Sequence, residues 1–121
     1  MKSQSLPDSF RHAFDGIFAV IKKERNMKIH VFCAVLVLAF GLLFRISRVE
    51  WFICIGWIAA VLCAELFNTA IEIALDLAMP ALDPRVKLAK DASAGAVLVL
   101  AIGAAISAAS IFLPGIFALF P

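Results

Sequence analysis

The composition of this 121-residue chain excludes an ordinary water-soluble domain. Apolar residues make up 64% of the chain and charged residues 17%, whereas soluble domains are nearer half apolar and a globule of this size cannot hide so much apolar surface. The formal net charge of +2 is too small for a nucleic-acid-binding protein, and no basic run alternates with aromatic residues. We therefore expect a small all-α membrane protein with no nucleic-acid partner.

The first predicted element is an amphipathic helix over about residues 6–26. At about 100° per residue, one face is apolar and the opposite face is charged or polar. The apolar face comprises Leu6, Phe10, Ala13, Phe14, Ile17, Phe18 and Ile21, and the polar face comprises Arg11, His12, Asp15, Lys22 and Lys23. This pattern predicts a helix lying in the membrane surface. Glu24 is an exception, because on such a helix its charge falls within the apolar face.

Three membrane-spanning helices are predicted next, over about residues 29–46, 51–75 and 91–113, since a span needs roughly 20 residues. We expect Pro114 and Gly115 to end or kink the third helix. This helix is rich in alanine, glycine and serine, which let helix backbones approach closely in lipid, so we expect it to pack within an oligomer. The three cysteines all lie in apolar stretches and are predicted to be free, buried thiols.

Basic residues predict the orientation of the chain in the membrane. They concentrate before the first span and in the loop between the second and third spans: Lys2, Arg11, Lys22, Lys23, Arg25 and Lys28, then Arg85, Lys87 and Lys90. The other loop has only Arg45 and Arg48. The excess of positive charge places the N-terminus and the second loop in the cytoplasm.

The second span carries a row of polar residues at a spacing of three or four: Glu65, Asn68, Thr69, Glu72 and Asp76. This spacing places them within an arc of about 100° on one side of the helix. Because an ionisable group at mid-bilayer depth costs about 2.5 to 3.5 kcal/mol, Glu65 is a candidate functional residue. Asn68 and Thr69 have the alternative of simple interhelical hydrogen bonds. Asp76 has the alternative of a solvated helix end before Pro80.

Lys90 and Asp91 precede the third predicted span, and two interpretations of them remain open. Asp91 is either an ordinary N-cap beside a headgroup-contacting lysine, or the pair marks a helix N-terminus that attracts phosphate. Together with the acidic row, a phosphate site on the cytoplasmic face favours phosphoryl transfer from a nucleotide to a lipid, with carboxylates for Mg²⁺ and one as base. The alternative is a small proton-coupled membrane transporter, since proton relays also use membrane carboxylates.

Two motifs closely resemble the signature of the prokaryotic diacylglycerol kinase family: ELFNTAIE at residues 65–72, followed by Asp76, and AKDASAGAVL at residues 89–98. The resemblance covers nearly the whole chain. The stretches ERNMKIH at residues 24–30 and FLP at residues 112–114 are similar to the Gram-positive branch, whose members are mostly undecaprenol kinases. The family resemblance implies one domain over residues 1–121, which acts as a homotrimer in the bacterial plasma membrane with a cytoplasmic active site. The implied reaction is MgATP-dependent phosphorylation of undecaprenol, with diacylglycerol as the second candidate.

The resemblance also implies roles for individual residues. Glu65 resembles the base that takes the proton from the lipid hydroxyl, and Asn68 resembles a residue that orients the reacting groups. Glu24 and Glu72 resemble Mg²⁺ ligands that bring in ATP. Further nucleotide contacts are implied for Lys90, Asp91 and Arg11. Contacts with the lipid substrate are implied for Ala13 and Gly16 in addition to Glu65.

Overall fold

The computed structural model describes residues 3–121 and contains four α-helices in this part of the chain. They are α1 (Leu6–Lys23), α2 (Arg25–Leu43), α3 (Arg48–Ala78) and α4 (Pro84–Phe117). The last three are long and apolar enough to cross a membrane, so the predicted all-α membrane fold is confirmed. Lys2, which contributed to the predicted orientation, lies outside the described residues.

Helix α1 begins at an N-cap residue, Ser5, that is followed by a proline in the first turn. The Ser5 hydroxyl accepts a hydrogen bond from the Asp8 backbone N–H, and Pro7 occupies the first turn, where a missing N–H costs nothing. None of its residues is buried, and its phenylalanines Phe10, Phe14 and Phe18 are exposed. Because α1 contacts α2 and α3 while its apolar stripe stays free, its form is that of a helix lying in a membrane surface.

Glu24 separates α1 from α2, which corrects its predicted place within the surface helix. Its backbone is extended, with φ −97° and ψ 121°, so it ends one helix and begins the next. Its N–H donates to the Val20 carbonyl at 2.9 Å, and its own carbonyl accepts from the Lys28 N–H at 3.2 Å. Glu24 therefore lies at a junction between two helices and is half-buried. The prediction that its charge falls within the apolar face of one continuous helix is wrong.

The connection between α2 and α3 is fixed by local hydrogen bonds. Arg45 adopts a left-handed backbone with φ 52°, which ends α2. Ser47 and Glu50 form a capping box, in which the Ser47 hydroxyl accepts from the Glu50 N–H at 3.2 Å and the Glu50 carboxylate accepts from the Ser47 N–H at 3.0 Å. Helix α2 consequently ends before residue 46, and α3 begins before residue 51.

Helices α3 and α4 form a long antiparallel hairpin. Asp83 caps α4 by accepting the Arg85 N–H at 2.8 Å, and the Arg85 guanidinium holds the pKa of the Asp83 carboxyl below its usual range. Helix α4 continues through Pro114 to Phe117 rather than ending there. With 31 and 34 residues, these helices measure about 46 and 51 Å, longer than a hydrocarbon core of about 30 Å. Both therefore extend beyond the membrane interior.

Two tryptophans pack against glycines where the helices approach each other. The Trp57 ring of α3 lies on Gly103 of α4, and the Trp51 ring lies on Gly41 of α2. Phe112 of α4 contacts Phe40 and Phe44 of α2, with ring centroids 6.2 Å apart in each pair. The buried interior is otherwise small. The cysteines within the described residues are free, but only Cys54 is buried, whereas Cys33 and Cys63 are exposed, which corrects the prediction of three buried thiols.

Candidate active site

Three polar side chains of α3 occupy the interior of this largely apolar chain. Glu65 and Thr69 are each 2% exposed and Asn68 is 7% exposed, whereas Phe67 on the other side of the helix is 65% exposed. The amphipathic pattern of the second span therefore turns its polar side toward the other helices. Because a buried polar group is costly unless it has a partner, the contacts of these three residues indicate their roles.

Glu65 faces His30 of α2. The His30 Nε2 atom lies 3.6 Å from the Glu65 Oε2 atom, and the two side chains are 19% and 3% exposed. His30 was not predicted as a site residue, because histidine is formally neutral and residues 29–44 of the first predicted span contain no formally charged side chain. The available signal was an ionisable imidazole within an apolar span, which marks a functional residue by the same rule that selected Glu65.

Asn68 and Thr69 differ in how well they are satisfied. The Ser93 hydroxyl of α4 lies 2.7 Å from the Asn68 Oδ1 atom and 2.9 Å from its own helix's Lys90 carbonyl. This contact leaves the Asn68 amide N–H groups free to donate elsewhere. The Thr69 hydroxyl is buried and has no hydrogen-bond partner within the described chain. Interhelical hydrogen bonding thus accounts for Asn68 but not for Thr69.

Lys90 and Asp91 lie well inside α4, so the helix-N-terminal position that both interpretations assumed for them is wrong. The N-cap is Asp83, and Asp91 follows it by about two turns. The Lys90 ammonium donates to the Asp76 carboxylate of α3, and the Lys87 ammonium donates to Asp91 at 2.5 Å. Asp76 is therefore a cross-helix partner as well as a residue of the last turns of α3.

Glu24 and Glu72 are both half-buried, and neither makes an ion pair with another residue of the described chain. Among residues 3–121, no group of three or more His, Cys, Asp or Glu side chains is placed to hold a metal ion. Mg²⁺ is commonly held by one or two carboxylates together with substrate phosphates. The carboxylates of Glu24 and Glu72 have the chemistry that such a site requires, and nucleotide phosphates would supply further oxygen ligands.

The α1 residues with expected substrate contacts are all exposed. Arg11 pairs with Asp8 at 3.5 Å and its side chain is 67% exposed. Ala13 is exposed, and a Cβ placed on Gly16 would meet no atom within 4 Å. The single chain therefore does not bury these residues against the polar side chains of α3.

An apolar crevice of about 390 Å³ lies between α2, α3 and α4. His30 forms part of its wall, and the crevice extends from there to Ile53 and Ile111 near the opposite ends of the helices. Its remaining lining is almost wholly apolar and includes Trp57 and several alanines of α4. Glu65 is not among the residues that line the crevice, and the His30 imidazole contacts both the crevice and the buried carboxylate.

Comparisons with known proteins show the family of this chain. The family described as prokaryotic diacylglycerol kinase matches residues 11–112. The undecaprenol kinase of Bacillus subtilis is 43% identical over 106 residues, covering 88% of this chain and 86% of that protein. The diacylglycerol kinase of Synechocystis is 34% identical over 112 residues, covering 92% of this chain and 64% of that protein. This multi-pass membrane chain belongs to the prokaryotic diacylglycerol kinase family.

Proposed function

We propose that the protein is a MgATP-dependent lipid kinase that phosphorylates the hydroxyl of undecaprenol, giving undecaprenyl phosphate. Family membership supports a lipid kinase, and the greater identity to an undecaprenol kinase favours that lipid over diacylglycerol, which would give phosphatidic acid. The single observation that carries the assignment is Glu65, a carboxylate that is only 2% exposed within an apolar helix. A carboxylate at such a depth is a functional residue by default.

Glu65 is the proposed general base. Its carboxylate takes the proton from the lipid hydroxyl as that oxygen bonds to the γ-phosphorus of ATP, and the bond to the β-phosphate oxygen breaks so that ADP leaves. Asn68 orients the reacting groups with its free amide N–H groups. The lipid hydroxyl reaches Glu65 from the membrane, because the surrounding helix surfaces are apolar.

The nucleotide and the metal belong to the cytoplasmic ends of the helices. Glu24 and Glu72 are the proposed Mg²⁺ ligands, and bound Mg²⁺ would neutralise charge on the phosphates. Lys90, Asp91 and Arg11 are the proposed nucleotide contacts. Each of the three has an intrachain ion pair, so nucleotide binding must exchange these exposed pairs for phosphate or ribose contacts.

A homotrimer in the bacterial plasma membrane, with the N-terminus and the active site in the cytoplasm, completes the proposal. Many large apolar side chains on α2, α3 and α4 are exposed on the single chain, and the small residues of α4 suit close helix packing in lipid. The basic residues support the orientation. Nothing in the fold or the relatives favours a proton-coupled transporter.

The test is phosphate transfer from labelled ATP to undecaprenol and to diacylglycerol, measured side by side in mixed micelles with Mg²⁺. Glu65→Gln is expected to lower turnover by at least about 100-fold, since general bases contribute about 10² to 10⁴. Glu50→Gln is the matched control, because it alters a glutamate of the same helix whose capping role glutamine preserves. Full activity of Glu65→Gln would remove Glu65 as the base, and faster turnover of diacylglycerol would reverse the substrate assignment.

A further inference from the structure

His30 touches the two features that the proposed reaction needs to bring together. Its Nε2 atom lies 3.6 Å from the Glu65 carboxylate, and the same imidazole forms part of the wall of the apolar crevice. His30 is also the only basic side chain within ion-pair distance of Glu65 in the described chain. No step of the reaction proposed above uses it.

Burial makes this contact important for Glu65. An ionised carboxylate removed from water is strongly disfavoured unless a hydrogen-bond donor or a positive charge faces it. Glu65 must be ionised to accept a proton and must point one oxygen at the lipid hydroxyl. Since its side chain is only 3% exposed, water cannot supply that donor, and the imidazole is the group placed to do so.

We propose that His30 is a positioning residue for Glu65 in the lipid kinase reaction. The His30 Nε2–H group donates to Glu65 Oε2 and thereby directs the other carboxylate oxygen toward the lipid hydroxyl. The separation of 3.6 Å exceeds that of a hydrogen bond, and catalytic hydrogen bonds of substrate-free enzymes are often long and tighten with substrate. His30 keeps its protons throughout, and Glu65 receives the proton of the hydroxyl.

The crevice gives this contact a link to substrate binding. The crevice runs from His30 toward the opposite ends of the helices, which is the direction that a hydrocarbon chain takes from a hydroxyl at the cytoplasmic side. A hydrocarbon chain lying along this wall would contact the same imidazole that faces Glu65.

Three variants test the inference in the labelled-ATP assay. His30→Ala removes the donor and is expected to lower kcat by about 10-fold to 100-fold, because small misplacements of reacting groups cost up to about 100-fold. His30→Gln retains an N–H near the Nε2 position, so it should recover most of this loss. Phe32→Ala is the matched control, because Phe32 is a large side chain of α2 two residues from His30, is 63% exposed and lies outside the lining of the crevice. Its kcat should equal that of the wild type.

The readouts separate positioning from a structural role. The KM for ATP should change far less than kcat in His30→Ala, and thermal unfolding in detergent shows whether the variant is folded. The double variant His30→Ala with Glu65→Gln should be no slower than Glu65→Gln alone, since His30 acts through Glu65. Equal impairment of His30→Gln and His30→Ala, or an additive double variant, would overturn the inference.

The inference rests on the proposed function, and the same experiments distinguish the two failures. If Glu65→Gln is fully active, Glu65 is not the base and the proposed function fails in its mechanism. If Glu65→Gln is inactive while His30→Ala matches the wild type, the lipid kinase assignment stands and only the role of His30 is refuted.

Discussion

The contact between Trp57 and Gly103 predicts a measurable cost for adding one methyl group. A Cβ placed on Gly103 would lie 2.8 Å from Trp57 Cζ3 and 3.3 Å from Cζ2, whereas carbon atoms normally approach to about 3.5 to 4.0 Å. The ring must therefore retreat, and overpacking of this kind costs about 1 to 3 kcal/mol. Alanine returns about 0.5 to 1 kcal/mol through its higher helix propensity, so Gly103→Ala should destabilise the protein by about 1 kcal/mol, with an upper bound of about 2.5 kcal/mol.

Gly56 provides the control for this substitution. A Cβ at Gly56 would meet nothing within 4 Å, so Gly56→Ala should show only the gain in helix propensity. The midpoint of unfolding in detergent should be lowest for Gly103→Ala and highest for Gly56→Ala. Because Trp57 also lines the crevice, Gly103→Ala should raise the KM for the lipid as well. Equal stability of the two variants would refute the close contact between the Trp57 ring and the α4 backbone.

Three further predictions concern the polar residues. Asp76→Asn releases Lys90 from an exposed ion pair of the kind worth about 0.2 to 1 kcal/mol. The substitution should therefore lower the KM for ATP by about twofold at low salt and by less at 1 M salt. Asp83→Asn is the control, and a raised KM in Asp76→Asn would make Asp76 part of the nucleotide site. Thr69→Val removes an unpaired buried hydroxyl at nearly constant shape, so unfolding midpoints should stay level or rise; a marked fall would mean that the hydroxyl has a partner. Because Arg85 lowers the pKa of the folded Asp83 carboxyl, the stabilising cap is present above the unfolded pKa and is lost as pH falls through the folded value. Protection of the Arg85 amide against hydrogen exchange, relative to its intrinsic rate at each pH, should therefore fall only in that acidic range.

The spans and the inward-facing polar residues were predictable because composition and helical periodicity determine them. Apolar runs with few or no charged residues located α2, α3 and α4, and the spacing of Glu65, Asn68 and Thr69 placed them on one side of α3. The helix ends were less accurate, because the caps at Ser47 and Asp83 lie outside the apolar runs. Hydropathy therefore does not locate the helix ends, which are set by capping residues with their own sequence pattern.

The contacts between helices were not predictable from local patterns. Lys90 meets Asp76 because the α3–α4 hairpin sets its register, and His30 meets Glu65 because α2 packs beside α3. The break at Glu24 had no glycine or proline to mark it. The residues around it favour a continuous helix, so the interruption depends on how α1 and α2 contact the rest of the chain.

Because a single extended residue, Glu24, joins α1 to α2, a small rotation at this residue produces a large displacement at the far end of α1. Helix α1 has 18 residues and is about 27 Å long, so a rotation of about 10° at Glu24 displaces its far end by about 5 Å. Conversely, whatever fixes the depth of α1 against the lipid headgroups also fixes the backbone from which the Glu24 carboxylate projects. The membrane surface thus takes part in setting the geometry of one of the two acidic residues proposed to hold the metal.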